Sequence, residues 1–252
     1  MNKKTLIIHQ GAIGDLMLSL PALYTIRTAY LEHHFEFMGY PRILCLLKDR
    51  FYADAIASID SAWISRLYAE PAGDNPEAAG YFGQFDKIWI FAGKKHSAFS
   101  EAVAHASGIP PVHVPTIPAG SAGHIIDLQL CTLSSFGLEP ALSAPKLFLT
   151  REDRARAHAF LNTSGLSEPL PRLAAIHPGS GSPKKNWPLS DFARLAALLS
   201  STCSMKPLVL TGPAEEGCKT AVQQAFAGTQ AVVVYPEDLL PVSYTHLRAH
   251  ET

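Results

Sequence analysis

Short β-rich runs alternate with helical stretches along this chain, and that alternation constrains the fold more than any other feature. The runs are TLIIH (5–9), FEFMGY (35–40), SAWISRLYA (61–69), DKIWIFAG (86–93) and VHVP (112–115). Helical patterns occupy about 15–30, 41–56, 97–107 and 124–136. A strand can only lie parallel to its predecessor if a crossover of a dozen or more residues returns the chain to the same sheet edge, and a helix supplies it. The pattern therefore predicts an α/β fold with βαβ units around a largely parallel sheet.

Gly137, Pro140 and Pro145 then interrupt any helix and mark a linker or domain edge. Thr150 with Asp153 three positions later has the spacing of a capping box and predicts a helix ending near Asn162. A second Pro-rich bridge, SGLSEPLPR, leads to a fresh alternation. Strands are predicted at 173–177, 207–212 and 231–236, and helices at 190–201 and 215–226. Two domains are expected, 1–168 and 172–241, the second with three strands against the ~5–6 of an average sheet.

The last eleven residues, VSYTHLRAHET (242–252), carry no periodic apolar face. They match, residue for residue, one reading frame of a widely used transposon sequencing adapter. They are read as a non-native tail and set aside, with the natural chain expected to continue past Pro241.

Composition excludes several function classes. A formal net charge of −1 without a Lys/Arg cluster offers no field for nucleic acid. Nothing apolar approaches the ~20 residues that span a bilayer, and the start resembles no signal peptide. Cys45, Cys131, Cys203 and Cys218 are scattered without a CxxC pair, which suits buried thiols in a reducing cytosol better than disulfides or zinc ligands.

Three strand ends carry chemistry. The first, IIHQGAIGDLMLSLPAL from Ile7, places Gly11, Ala12 and Gly14 in a turn at the carboxyl edge of a parallel sheet, where open α/β folds bind ligands. Asp15 falls in the first helical turn, where unpaired amides and the helix dipole favour a carboxylate. It is either a base facing a cleft or simply a helix cap. Pro21, inside the same helix, costs a backbone bond.

The second stretch, AIHPGSGSPKKNWPLSDFARLAALL (175–199), repeats the strand, Gly/Ser turn and helix order and adds Lys184 and Lys185. That is a recipe for an anion site, or equally a polar loop with solvated lysines. Neither turn has P-loop or GxGxxG order, so neither ATP hydrolysis nor a nicotinamide cofactor is supported. The third, VLTGPAEEG (209–217), puts Glu215 just after a strand, as a sugar-hydroxyl ligand or as another helix-start acid.

As a set, these stretches resemble the lipopolysaccharide heptosyltransferase family, glycosyltransferase family 9. The resemblance is carried by GD-x5-P (Gly14, Asp15, Pro21), by HPG followed by K-x-W-P (His177, Pro178, Gly179, Lys185, Trp187, Pro188), and by a G-x-P-x-E-like turn with one residue fewer (Gly212, Pro213, Glu215). It covers residues 4 to about 240.

The resemblance implies a GT-B-like architecture: two Rossmann-like domains, the first acceptor-side and the second, incomplete here, binding a nucleotide-sugar. It implies inverting transfer of a heptose or related sugar, on an ADP-linked donor, to a lipopolysaccharide-type glycan acceptor. Asp15 would be the base, with Gly11, Ala12 and Gly14 as the cleft loop. Gly179, Ser180, Lys185 and Glu215 would hold the donor. No D-x-D pair occurs in the chain, in keeping with the metal-free manner of that family. A lipid-linked acceptor would fit a bacterial, cytoplasmic protein with peripheral contact at the inner membrane face and no further cofactor.

Two departures stand out. The family's D-S-G-P-x-x-H segment has no counterpart, which fits truncation and implies impaired donor binding. Gly11 and Ala12 stand where close relatives often carry hydroxyl residues. Two rival readings remain, a non-catalytic GT-B-fold binding protein and a serine hydrolase using Ser121 in AGSAG (119–123), whose elbow lacks the strand it needs because Pro115 and Pro118 break the run before it.

Overall fold

Five strands, β1 (Lys4–His9), β2 (His34–Gly39), β3 (Ala55–Ser58), β4 (Lys87–Ala92) and β5 (Val112–Pro115), form one sheet in the order β3-β2-β1-β4-β5. Every neighbouring pair is parallel, with Ile7 of the central strand opposite Phe37 and Trp89. The computed structural model describes residues 3–69, 75–93, 97–118, 123–166, 169–180, 183–212 and 217–235.

The crossovers are α1 (Ile13–Ala29), α2 (Pro41–Leu44), α3 (Ala62–Ala69), α4 (Pro76–Phe82) and α5 (Ser97–Ser107), and α6 (Ile125–Ser134) follows the last strand. On one face, Ile7, Phe35, Phe37 and Phe91 pack with Leu16, Leu20 and Leu23 of α1 and Leu133 of α6. On the other, Leu6, Ile8, Met38 and Ile90 pack with Ile64 of α3, Phe82 of α4 and Phe99 of α5. Each such side chain, fully withdrawn from water, contributes about 1.5–3 kcal/mol. With both faces covered, β1 is apolar without alternation, as its sequence is.

Strands β2 and β3 lie on one side of β1, and β4 and β5 on the other. The winding reverses between β1 and β4, and a doubly wound sheet opens its ligand crevice at the carboxyl ends there. The turn after β1 sits at that point.

Residues 61–69, expected as a strand from their Trp, Ile and Tyr content, form α3 instead. Ile64 and Leu67, three apart, are both buried, and that helical spacing overrides the β-rich composition. The third strand is the short Ala55–Ser58. The helix expected over 41–56 therefore stops after one turn, at Leu44. Helix α4 was not legible in advance. Asn75 caps it by accepting from the Ala78 N–H at 3.0 Å, ahead of Pro76 at its first position. Pro21 lies buried inside α1 without ending it.

The chain divides into two compact units between Phe148 and Leu149. In the second, β6 (Leu173–Ile176), β7 (Lys206–Leu210) and β8 (Val232–Val234) form a parallel sheet in the order β6-β7-β8. Helix α7 (Arg151–Thr163) begins with the expected box, Thr150 Oγ1 accepting from the Asp153 N–H at 3.1 Å and Asp153 Oδ2 from the Thr150 N–H at 2.9 Å. Its Leu161, with Leu166, packs on Leu208, Leu210 and Val234, so α7 belongs to the second sheet and the division falls about twenty residues before 168. Helices α8 (Leu189–Cys203) and α9 (Lys219–Phe226) cover the opposite face through Ala196, Val222 and Phe226.

The cysteines are not the buried thiols expected from their spacing. Cys131, Cys203 and Cys218 are exposed and Cys45 is half-buried. Spacing says nothing of which helix face a residue occupies, and these lie on outer faces or at a helix end. Residues 242–252 lie outside the described residues.

Candidate functional site

The first strand end holds an acid by its own backbone. Strand β1 stops at His9, the chain turns through Gly11 and Ala12, and α1 starts at Ile13. Asp15, third in the helix, accepts a hydrogen bond at Oδ2 from the Ala12 N–H at 2.9 Å. Ala12 has no side-chain acceptor to return it, so the capping is one-sided. The other carboxylate oxygen has no partner among the described residues. Asp15 is thus a cap through one oxygen and an available acceptor through the other.

Beneath this turn lies a buried polar layer. His9 is 1% exposed, and its Nδ1 accepts from the Gly11 N–H at 3.3 Å while Nε2 lies 3.3 Å from Ser19 Oγ. Ser19, one helical turn after Asp15, donates to the Asp15 carbonyl oxygen at 2.8 Å. Gln129 of α6 donates from Nε2 to Ser19 Oγ at 3.1 Å and to the Pro115 carbonyl oxygen at 2.9 Å. Burial pulls the His9 pKa down to about 4, against the Asp15 charge, which alone would raise it. The ring is neutral near neutrality.

Gly11 touches both groups. A Cβ there would stand 2.6 Å from Asp15 Cβ and 2.9 Å from His9 Cε1. A side chain at this position would force the His9 ring or the acid to shift.

The second strand end belongs to the other unit. His177, just past β6, donates from Nδ1 to the Leu210 carbonyl oxygen at 2.7 Å, tying the ends of β6 and β7 together. That acceptor fixes the tautomer of a neutral ring, leaving Nε2 as an acceptor. Pro178 is buried, Gly179 and Ser180 are half-buried, and Ser180 Oγ donates to Asn186 Oδ1 at 2.6 Å. Lys184 and Lys185 close a single 3₁₀ turn, Pro183–Lys185, and both are exposed. Trp187 is 58% exposed and meets Phe192 edge-on, with centroids 5.6 Å apart. An exposed pair of lysines just before a helix N-terminus is suited to an anion. Glu215 and Ser121 lie outside the described residues. Among the described residues no three of His, Cys, Asp and Glu gather into a metal-binding group.

No family model matches the chain, and no curated protein matches it by sequence. Solved structures do. A glycosyl transferase family 9 protein from Veillonella parvula is similar at a TM-score of 0.73 and 18% identity, over 96% of this chain and 73% of that one. The E. coli ADP-heptose lps heptosyltransferase II follows at 0.62 and 16% identity, over 92% and 72% of the two chains. An E. coli heptosyltransferase with ADP gives 0.58 and 17%, over 96% and 78%. The fold is the GT-B fold of these transferases.

Within this GT-B chain, Gly11, Ala12, Gly14 and Asp15 lie in the turn and first helical turn after β1, at the winding reversal of the first sheet, while Gly179 and Ser180 follow β6 and Ser180 bonds Asn186, the residue after Lys185. Sequence reasoning passed over His9, Ser19 and Gln129. A histidine closing a strand just before a glycine turn, and a serine four residues after the acid, were visible signals. Gln129 gave none.

Proposed function

We propose that this chain is a glycosyltransferase of the heptosyltransferase kind, moving a heptose or related sugar from an ADP-linked donor to a hydroxyl of a lipopolysaccharide-type glycan. The observation that carries this reading is the half-engaged Asp15 carboxylate at the winding reversal: Oδ2 is fixed by the Ala12 N–H and the other oxygen is uncommitted among the described residues. The acceptor hydroxyl gives its proton to that oxygen. Its own oxygen attacks the anomeric carbon on the face opposite the leaving group. The bond from that carbon to the phosphate oxygen breaks, and ADP departs with the electron pair, inverting the centre.

Lys185 and the backbone of Gly179 and Ser180 bind the diphosphate and stabilise its growing charge, with no metal, and Glu215 holds donor hydroxyls. The ADP in one of the similar E. coli structures is consistent with an adenine nucleotide. Contact with a lipid-linked acceptor is proposed to be peripheral; among the described residues no helix is long and apolar enough to cross a membrane.

Asp15→Asn tests the base role cleanly because the amide oxygen can still accept from the Ala12 N–H, keeping the cap while removing the base. Transfer of heptose from ADP-heptose to a heptose-free lipopolysaccharide core, followed by mass spectrometry, is expected to slow by about 10²- to 10⁴-fold. A wild-type rate in this variant would reduce Asp15 to a cap, whereas no transfer by the wild type itself would favour a non-catalytic member of the fold.

A further inference from the structure

We propose that His9, Ser19 and Gln129 are positioning residues: a network of hydrogen bonds with fixed donor directions, converging on Ser19 and linking the end of β5 to the first turn of α1, that sets the direction of the Asp15 carboxylate. The inference rests on the reading of Asp15 as the base.

Its direction follows from groups that can play one role only. The Gly11 N–H can only donate, so His9 Nδ1 accepts and the ring proton sits on Nε2. That proton points to Ser19 Oγ. The Pro115 carbonyl can only accept, which fixes the Gln129 amide with its nitrogen toward Pro115 and Ser19. Ser19 Oγ thus receives two donors, which fills its lone pairs, and its own hydrogen goes to the Asp15 carbonyl at 2.8 Å. Each donor has one assignment, and no reversed arrangement satisfies both fixed ends.

The network's placement gives it leverage on the acid. Consecutive amides of one turn are divided between the two sides: Gly11 N–H goes down to buried His9, Ala12 N–H goes up to Asp15 Oδ2. The space a side chain would take at Gly11 is occupied by both the ring and the acid. A tilt of His9 or a lost Ser19 hydroxyl therefore moves the turn that holds the carboxylate. Gln129, which is 1% exposed, carries a buried Oε1 with no partner among the described residues. An apolar residue would avoid that cost, so the glutamine is explained by its two N–H donors. One of those donors ties Ser19 of α1 to a residue 110 positions away, and the other ties that residue to the end of β5.

Four measurements on the full chain test this. Nitrogen-15 NMR of the wild type should show His9 neutral with its proton on Nε2 at about pH 7, whatever the activity; a proton on Nδ1 would overturn the network. Ser19→Ala should lower kcat for heptose transfer from ADP-heptose by ~10- to 100-fold through misplacement of the base, with KM for ADP-heptose unchanged and Ser19→Thr restoring the rate. Adding Ser19→Ala to Asp15→Asn should cost nothing more, because both act through one group, whereas a purely structural loss would add. Gln129→Met, similar in size but without donors, is the second variant and should give the same split. Full rates in Ser19→Ala and Gln129→Met beside a slow Asp15→Asn would overturn the positioning role alone. A wild-type rate in Asp15→Asn would remove the base reading and this role with it.

Discussion

The two strand ends start from one local recipe, a parallel strand, a turn containing glycine and a helix N-terminus, and are finished differently. In the first, the turn amides of Gly11 and Ala12 are already engaged by His9 and Asp15, and a buried polar layer lies beneath. In the second, the two strand ends are tied by His177 and Leu210, while Lys184, Lys185 and Trp187 stand in solvent. The difference teaches that a helix start is an anion site only while its donors are unspent. Once they hold a resident carboxylate, the same geometry presents an acceptor instead.

Acid should separate the two ends most strongly. His9 has a pKa of about 4 in the fold, below the 6.5 of an unperturbed histidine, so the unfolded chain binds more protons between those values. Its contribution is present in full above about pH 6.5 and is lost as pH falls toward 4, about 3 kcal/mol over the window. Urea unfolding of wild type and His9→Asn at about pH 7 and pH 4.5 should show the variant losing much less on acidification. Equal losses would mean that His9 is not the buried neutral group.

Next in size is Lys185→Ala. Removing the proposed charge-assisted contact to the diphosphate would cost about 1.5–3 kcal/mol, so calorimetry with ADP should read a ~10- to 100-fold weaker complex, with Asp15→Asn unchanged. Weaker ADP binding in Asp15→Asn would blur the division of labour proposed for the two ends.

Gly11→Ala sharpens the comparison in stability. The new Cβ must displace Asp15 or His9, an overpacking expected to cost about 1–3 kcal/mol by urea denaturation. The smallest effect belongs to the second end: Lys184→Ala, at an exposed position, should stay within about 0.5 kcal/mol of wild type in the same assay. A cost at Lys184 matching that at Gly11 would show that the second turn is as tightly built as the first.

Much of the fold was legible because its signals are short-range. The alternation of runs and helices, the Thr150–Asp153 box and the glycine turns each depend on residues within a few positions of one another. Asp15 at a helix start and the lysines before α8 were legible for the same reason. Residues 61–69 misled because aromatic and β-branched content favours strands, whereas the Ile64 and Leu67 spacing that buries one helix face decides the outcome.

The sequence by itself determined the parallel α/β layout, the acid after the first strand and the cationic turn after the sixth. Tertiary structure alone decided that α7 covers the second sheet, that a side chain at position 11 would displace His9 or Asp15, and that Gln129 reaches Ser19 beneath the acid. The physical reason is separation along the chain. Periodicity and capping are written in neighbouring residues, but a contact spanning 110 positions exists only after the sheet order has brought β5 and α6 back beside α1.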